Sequence, residues 1–278
     1  MAPGFEITGF ADEIAPAMDE QIAGLQATGV SWVEVRGVDG VNVLDLTDSQ
    51  AEKLRSRLDD TDIRVSSIGS PIGKVDVGDD LEDHFRRFGI ALQRASQLGC
   101  DFVRIFSFYH KDQNPEDVRD VVLEQISRMA RAAETAGIVL LHENEKGIYG
   151  DSPERCLDLL THAKSDHFKA AFDPANFVQC GFRPGPAFDL LADHVAYFHI
   201  KDAVADTGRV VPAGHGDGDV EQILKWADER GISGFVSVEP HLKADDPEYG
   251  GTGVERFAIA VTELRKLLDR LARTTQHP

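Results

Sequence analysis

Positive charge is scarce in this 278-residue chain: 29 Lys and Arg stand against 48 Asp and Glu, a formal net charge of −19. So acidic a surface repels phosphate backbones and anionic membranes, and neither nucleic acid nor a membrane is expected as a partner. Cysteine is nearly absent. Cys100, Cys156 and Cys180 are odd in number and lack C-x-x-C spacing, so neither a disulfide framework nor a zinc ribbon is indicated, and a reducing, cytoplasmic setting is expected. No stretch approaches the roughly 18 consecutive apolar residues of a membrane span. The start MAPGFEITGF has neither a basic n-region nor an apolar h-region, so an unexported, soluble protein is expected. The glycine signatures of nucleotide binding are missing as well. Gly9-Phe10-Ala11-Asp12, after the first apolar run, does not match G-x-G-x-x-G, and no P-loop type of phosphate cradle appears, which favours an unphosphorylated substrate. No linker interrupts the chain, and residues 1–278 read as one domain of a size that α/β barrels routinely reach.

What is present is alternation. Short β-prone runs recur at Phe5–Phe10, Trp32–Arg36, Arg64–Gly73 with its loop, Phe102–Tyr109, Val139–Glu143, Lys169–Asp173, Val195–His199 and Phe235–Glu239. Between them lie stretches with apolar residues at helical spacing. Asp12–Thr28 carries Ile14, Met18, Ile22 and Leu25; Leu81–Leu98 carries Phe85, Phe88 and Leu92; Pro115–Thr135 carries Val121, Ile126 and Met129. Thr47 and the pair Ser152-Pro153 are helix-start signals, and further helices are expected at Pro186–Leu191, Val220–Glu229 and Val254–Leu271. Glycines punctuate the helix ends in ATGV, QLGC, TAGI and ERGI. Eight strand–helix units in strict alternation call for parallel strands with crossover helices, and eight units close a (β/α)8 TIM barrel. An open doubly wound sheet is the runner-up, disfavoured by the missing glycine fingerprint.

Four of the runs end in a way a buried strand has no reason to end. VLLHENEKGIYG passes from aliphatics into ionisable groups at Glu143, and KAAFDPANF, VAYFHIKDA and GFVSVEPHL close on Asp173, His199 and Glu239. A single such ending reads as a solvated loop; four, all at carboxyl ends of strands, read as an active-site rim. Three carboxylates and one imidazole suit one divalent cation, manganese first, with magnesium, cobalt and zinc as alternatives. Residues two apart share a strand face, so if Glu143 points into the barrel it brings Leu141 and Val139, Asp173 brings Ala171, His199 brings Tyr197, and Glu239 brings Ser237 and Phe235, although the opposite parity would also bury apolar residues, against the helices.

At HENE, FDPANF, HIKD and V-E-P the chain resembles the xylose isomerase-like superfamily of sugar isomerases and epimerases, over nearly its whole length. The resemblance implies that Glu143, Asp173, His199 and Glu239 bind the metal, and that Glu143 and Glu239 also move protons on opposite faces of the substrate. Where the ketose 3-epimerase branch carries a histidine three residues after the metal aspartate, this chain has Asn176. The run AGHGDGD resembles the P-x-G-x-G loop after strand 7, with His215 between the glycines. Lys201, His215 and Asn176 are the candidate substrate-binding residues. Asp202, Lys146 and Tyr149 also invite a role, Glu34 and Arg36 end the second strand within reach of the pocket, and Arg104 and Ser107 are undecided.

The expected function is a metal-dependent isomerase or epimerase acting on a keto-sugar or related polyol by proton abstraction next to a carbonyl, through a metal-stabilised enediolate. The rivals are a lyase or dehydratase using the same site, an apurinic endonuclease, which the charge opposes, and a non-catalytic binding barrel, which an intact ligand set opposes. Members of the superfamily often pair, so a homo-oligomer is among the implied partners.

Overall fold

The computed structural model describes residues 4–274, so the first three and last four residues of the expected 1–278 domain lie outside the described residues. Eight strands form one parallel sheet: β1 (Phe5–Gly9), β2 (Trp32–Val35), β3 (Arg64–Gly69), β4 (Phe102–Ile105), β5 (Val139–Glu143), β6 (Phe168–Phe172), β7 (Val195–Ile200) and β8 (Gly234–Val238). They are hydrogen-bonded in the order β1-β8-β7-β6-β5-β4-β3-β2, and β1 and β2, the two ends of that order, lie against each other, so the barrel is nearly closed. Around it run α1 (Met18–Thr28), α2 (Asp48–Asp59), α3 (Leu81–Leu98), α4 (Pro115–Ala136), α5 (Pro153–Ala163), α6 (Pro174–Gln179), α7 (Pro184–Leu191), α8 (Val220–Glu229) and α9 (Gly253–Thr274). Among the described residues no helix is long and apolar enough to cross a membrane.

The helix ends follow from local chemistry. Thr47 and Gln50 form a reciprocal capping box on α2, and Asn114 and Ser152 cap α4 and α5 just ahead of a first-turn proline. Gly29, Gly99 and Gly137 close α1, α3 and α4 in the left-handed conformation, freeing the chain to turn into the next strand.

Strand alternation then sorts side chains into two layers. Leu140, Phe172, Phe198 and Val236 face outward into the large core shared with the helices, while Leu141, Ala171 and Tyr197 pack with Val139, Phe102 and Phe235 inside the barrel. The inner set has the parity expected from the four ligand positions, so Glu143 and His199 point inward at the carboxyl end, above that plug. His142, of opposite parity, faces outward and lies 3.0 Å from Ser107 Oγ.

Several boundaries differ from expectation. The first helix starts at Met18 rather than Asp12, because Pro16 disfavours a helical residue before it; Asp12 and Glu13 instead form a short 3-10 turn at the barrel mouth. Strand 4 stops at Ile105, and the chain up to Tyr109 is loop, with Phe108 at φ 67. The helix α6 follows immediately on Asp173, and two small hairpins, Gly37–Val38 with Val41–Asn42 and Asp202–Ala203 with Val210–Val211, decorate the mouth.

One buried imidazole away from the mouth links the fold to pH. The Gly73 N–H donates to His84 Nε2 at 2.8 Å, in a turn that only glycine fits, since a Cβ there would meet the Phe106 carbonyl oxygen at 2.1 Å. Burial, then Arg87, lowers the His84 pKa. Below the ordinary histidine value the unfolded chain therefore binds a proton that the folded protein does not, and stability falls as pH falls. His84→Ala is expected to cost about 1–3 kcal/mol near pH 7.5, where the Gly73 N–H loses its acceptor, and to flatten the stability loss between roughly pH 6.5 and 5. Urea unfolding of both proteins at the two pH extremes checks this; parallel pH profiles would count against it.

Candidate metal centre

Each of the four side chains is delivered by a local device. In the pair Glu143-Asn144, the glutamate points into the barrel and the asparagine lies across to the neighbouring strand. Asn144 Nδ2 donates to the Asp173 carbonyl at 2.8 Å and its Oδ1 accepts from the Asp173 N–H at 3.0 Å, which carries the β5–β6 pairing one step beyond the strands. Asp173 caps α6, its Oδ1 accepting from the Asn176 N–H at 2.9 Å. His199 belongs to β7, and Glu239 follows β8 just ahead of Pro240. Glu143, Asp173, His199 and Glu239 are exposed by only 1%, 0%, 0% and 3%, and one ligand atom from each lies within 4.8 Å of the others.

Buried charges at this spacing need partners. Glu143 Oε2 accepts from Arg104 Nη1 at 2.9 Å, and its Oε1 accepts from Asn176 Nδ2 at 3.2 Å. Lys201 Nζ donates to Asp173 Oδ2 and, at 2.6 Å, to Glu239 Oε2. Arg36 Nη1 reaches Glu239 Oε1 at 3.1 Å, and His241 Nε2 lies 3.3 Å from the same oxygen. Burial works against ionising either glutamate, but His199 and Arg104 hold the Glu143 carboxyl well below the usual carboxylate range, and Lys201, His241, His199 and Arg36 do the same for Glu239. Asp173 is pushed up to about 6, by burial first, with Glu143 and Glu239 adding to it against Lys201. Burial disfavours charge on His199 and Lys201, yet the surrounding carboxylates outweigh it, raising His199 to about 10 and Lys201 well above its ordinary value. The site is an anionic nest that gathers positive charge.

These residues fit a divalent ion. His199 Nε2 lies 3.0 Å from Glu34 Oε2, while Nδ1, 3.1 Å from Glu143 Oε2 but without the alignment of a hydrogen bond, is left without a hydrogen-bond partner in a fully buried position. Once a cation displaces its proton, that nitrogen and the carboxylate oxygens it faces make the donor set of a four-ligand oxygen-rich cation site. A second group, Glu13, Glu239 and His241, also brings ligand atoms together, but Arg36 threads it, with Nη1 on Glu239 and Nη2 on Glu13, so a guanidinium already neutralises it.

Of the candidate substrate-binding residues, Lys201 and Asn176 join the cluster. His215 does not contact it: its Nε2 lies 3.2 Å from Glu263 and its Nδ1 3.1 Å from the Tyr249 hydroxyl, and its side chain is more than a third exposed. Asp202 organises the same loop. Its Oδ2 accepts from Gly214 and Gly216 and its Oδ1 from Gly218, and a Cβ at Gly216 or Gly218 would meet Oδ1 at 2.5 or 2.6 Å, which is why small residues recur there. Tyr149 turns to Asp158, 2.7 Å from its hydroxyl. The undecided Arg104 proves central. Its guanidinium stacks 4.6 Å from the Phe106 ring and 5.2 Å from the Phe10 ring, and its buried Nε has no hydrogen-bond partner. Phe10, not singled out as a site residue from the sequence, takes both arginines against its ring, with the Arg36 guanidinium 4.5 Å from the ring centre. Two clefts flank this edge. One is lined by Asp12, Arg36 and the Gly37–Asn42 hairpin, and the other, of about 680 Å³, by His241, Arg209 and Lys243. Arg36 and His241 both bond or pair with Glu239, so the clefts approach the cluster from the Glu239 side.

A family model described as xylose isomerase-like TIM barrel matches residues 22–269. No curated protein matches the chain in sequence. Solved structures agree at low identity. A D-tagatose 3-epimerase-like protein is 15% identical, with a TM-score of 0.78 over 98% of this chain and 99% of its own. A xylose isomerase-like TIM barrel protein from Mycobacterium smegmatis, in complex with magnesium, is 18% identical, with a TM-score of 0.70 over 97% of each chain. AsbF, the probable 3-DHS dehydratase involved in petrobactin synthesis from Bacillus anthracis, is 15% identical, with a TM-score of 0.73 over 94% of this chain and 99% of its own. At such identities the likeness carries the fold and not the reaction.

Proposed function

The chain belongs to the xylose isomerase-like TIM barrel family, and on that footing we propose that it is a divalent-metal-dependent isomerase or epimerase of an unphosphorylated keto-sugar or related polyol. The observation that carries the reading is the convergence of Glu143, Asp173, His199 and Glu239 at the carboxyl end of the barrel, with the unpartnered His199 Nδ1 among the carboxylates. Manganese is the preferred ion, since oxygen ligands dominate and one nitrogen is present. Glu143, Asp173, His199 and Glu239 would hold such an ion, which would supply Lewis-acid stabilisation of the negative charge that develops as a proton leaves the carbon next to the carbonyl.

The remaining work falls to side chains. Glu239, held ionised and paired with Arg36 and His241, which line the clefts, accepts the proton from the carbon next to the carbonyl. Glu143, enclosed on the opposite side by Arg104 and Asn176, serves the other face. The Lys201 ammonium and the open edge of Arg104 donate to substrate oxygens as negative charge develops. Phe10 and Phe106, both fully buried, keep water from the reacting carbon.

A dehydratase or lyase is the second reading, favoured by Asn176. This amide stands where ketose 3-epimerases carry histidine, and it cannot carry a proton between substrate and solvent near neutral pH. Incubation with a panel of ketoses, keto-acids and keto-glycosides in heavy water separates the two. An isomerase or epimerase returns an isomer with deuterium on carbon; a stoichiometric leaving group with an unsaturated product and no isomer would establish the second reading instead.

A further inference from the structure

Below the four candidate ligands the barrel contains a carboxylate that the proposed reaction does not use. Glu34, on β2, is 1% exposed, and its Oε1 is buried without a hydrogen-bond partner among the described residues. Its Oε2 is shared. It lies 3.0 Å from His199 Nε2 and accepts from the Tyr197 hydroxyl, also at 3.0 Å. Tyr197 is in turn 3.0 Å from Ser66 Oγ, which is 2.7 Å from Thr8 Oγ1 and donates to the Val33 carbonyl at 3.1 Å. The chain of polar contacts thus runs from His199 through β2, β7, β3 and β1, directly above a plug of Leu141, Ala171 and Phe235.

A carboxylate in so apolar a surrounding is costly to bury unless it does something an apolar residue cannot. Mere filling of the barrel would be served better by an aliphatic side chain. What Glu34 alone supplies is an acceptor for one particular N–H. A neutral imidazole carries its proton on one nitrogen or the other, and which nitrogen is left bare is set by the hydrogen bond the other makes. We propose that Glu34 is a positioning residue for the metal centre: by accepting the His199 Nε2–H it fixes the tautomer and ring angle that present Nδ1 to a divalent ion, and Tyr197 and Ser66 hold the Glu34 carboxylate in place. The inference rests on the metal reading above and adds a residue to it that touches neither ion nor substrate.

The test is metal affinity, read without reference to turnover. Glu34→Gln keeps the volume and an acceptor but removes the charge, and Glu34→Leu removes the acceptor. The dissociation constant for Mn²⁺, measured by calorimetry on folded protein, is expected to rise about 10–100-fold in Glu34→Gln and further in Glu34→Leu, and the absorption spectrum of the Co²⁺-loaded protein is expected to change in both. Wild-type affinity and spectrum in both variants would overturn the proposal. If the wild-type protein itself binds neither Mn²⁺ nor Co²⁺, the metal reading fails and this inference falls with it, a result distinguishable from the first. Should the variants not fold, ¹⁵N-labelled histidine in the Zn²⁺-loaded wild-type protein decides: His199 is expected to hold its proton on Nε2 and coordinate through Nδ1, and the reverse assignment refutes the role of Glu34.

Discussion

Glu239→Gln is expected to lower turnover by about 10²–10⁴-fold, the usual contribution of a positioned general base or acid, while keeping most of the bound ion. The amide oxygen still coordinates, but the amide has no basic lone pair near neutral pH, so only the proton-transfer role is lost. The reason to single out Glu239 is geometric. Both oxygens of each glutamate have partners, but those of Glu143 are Arg104 and Asn176 within the barrel, whereas Glu239, besides Lys201, meets Arg36 and His241, the residues that border the clefts. Glu143→Gln is expected to fall in the same range, but with a different partial reaction. If the glutamates serve opposite faces, one variant still exchanges the substrate proton with solvent while failing to give product, and the other loses exchange as well. Turnover, metal content and solvent exchange, measured on both, make the comparison. Two variants that stay metal-loaded and near the wild-type rate would remove the two-glutamate mechanism and make Lys201 the next candidate.

Stripping the divalent ion is expected to abolish activity and to destabilise the protein together. Anything that binds the folded state alone adds about 4 kcal/mol of stability at roughly a thousand times its dissociation constant, and for a chain of this size that amounts to a midpoint shift of roughly 10 °C. Three carboxylates meeting within 4.8 Å give the reason, because without the ion their mutual repulsion is offset by Lys201, Arg36, Arg104, His199 and His241. Thermal unfolding before and after chelation, with Mn²⁺ added back and the metal counted by elemental analysis, tests both halves. One equivalent of metal, lost with activity and restored with it, is the expected pattern; an unchanged midpoint and full activity in thoroughly chelated protein would end the metal hypothesis. Asp173→Asn is expected to lose mainly affinity, recovering part of its activity at high Mn²⁺, because Asp173 is enclosed by Lys201 and the start of α6 rather than facing the clefts.

The sequence by itself determined the barrel and the four residues at its rim, because both are written in local, periodic signals. Alternation of strand and helix specifies parallel strands, glycine after α1, α3 and α4 specifies the turn into the next strand, and a strand that closes on Glu143 or His199 fixes by parity which face those groups share. The device at Asp202 was half visible as a run of glycines, but its meaning needed the carboxylate seated against them. Tertiary structure alone decided the rest. Arg36 and Glu239 are 203 residues apart in the chain, and Glu34 and His199 are 165 apart, so their meeting depends on closure of the barrel across β1 and β2. The register shift between β2 and β3 brings both Ser66, which meets Tyr197, and Gly69, where a Cβ would lie 2.6 Å from Phe10, to the interior although they are three residues apart, which a period of two does not allow. His215 shows the converse: a histidine between loop glycines carries no signal of where the loop points, and contacts with α9 and Tyr249 hold it away from the four ligands. Local pattern fixes which way a side chain leaves its own strand, and only the packed barrel fixes what it meets there.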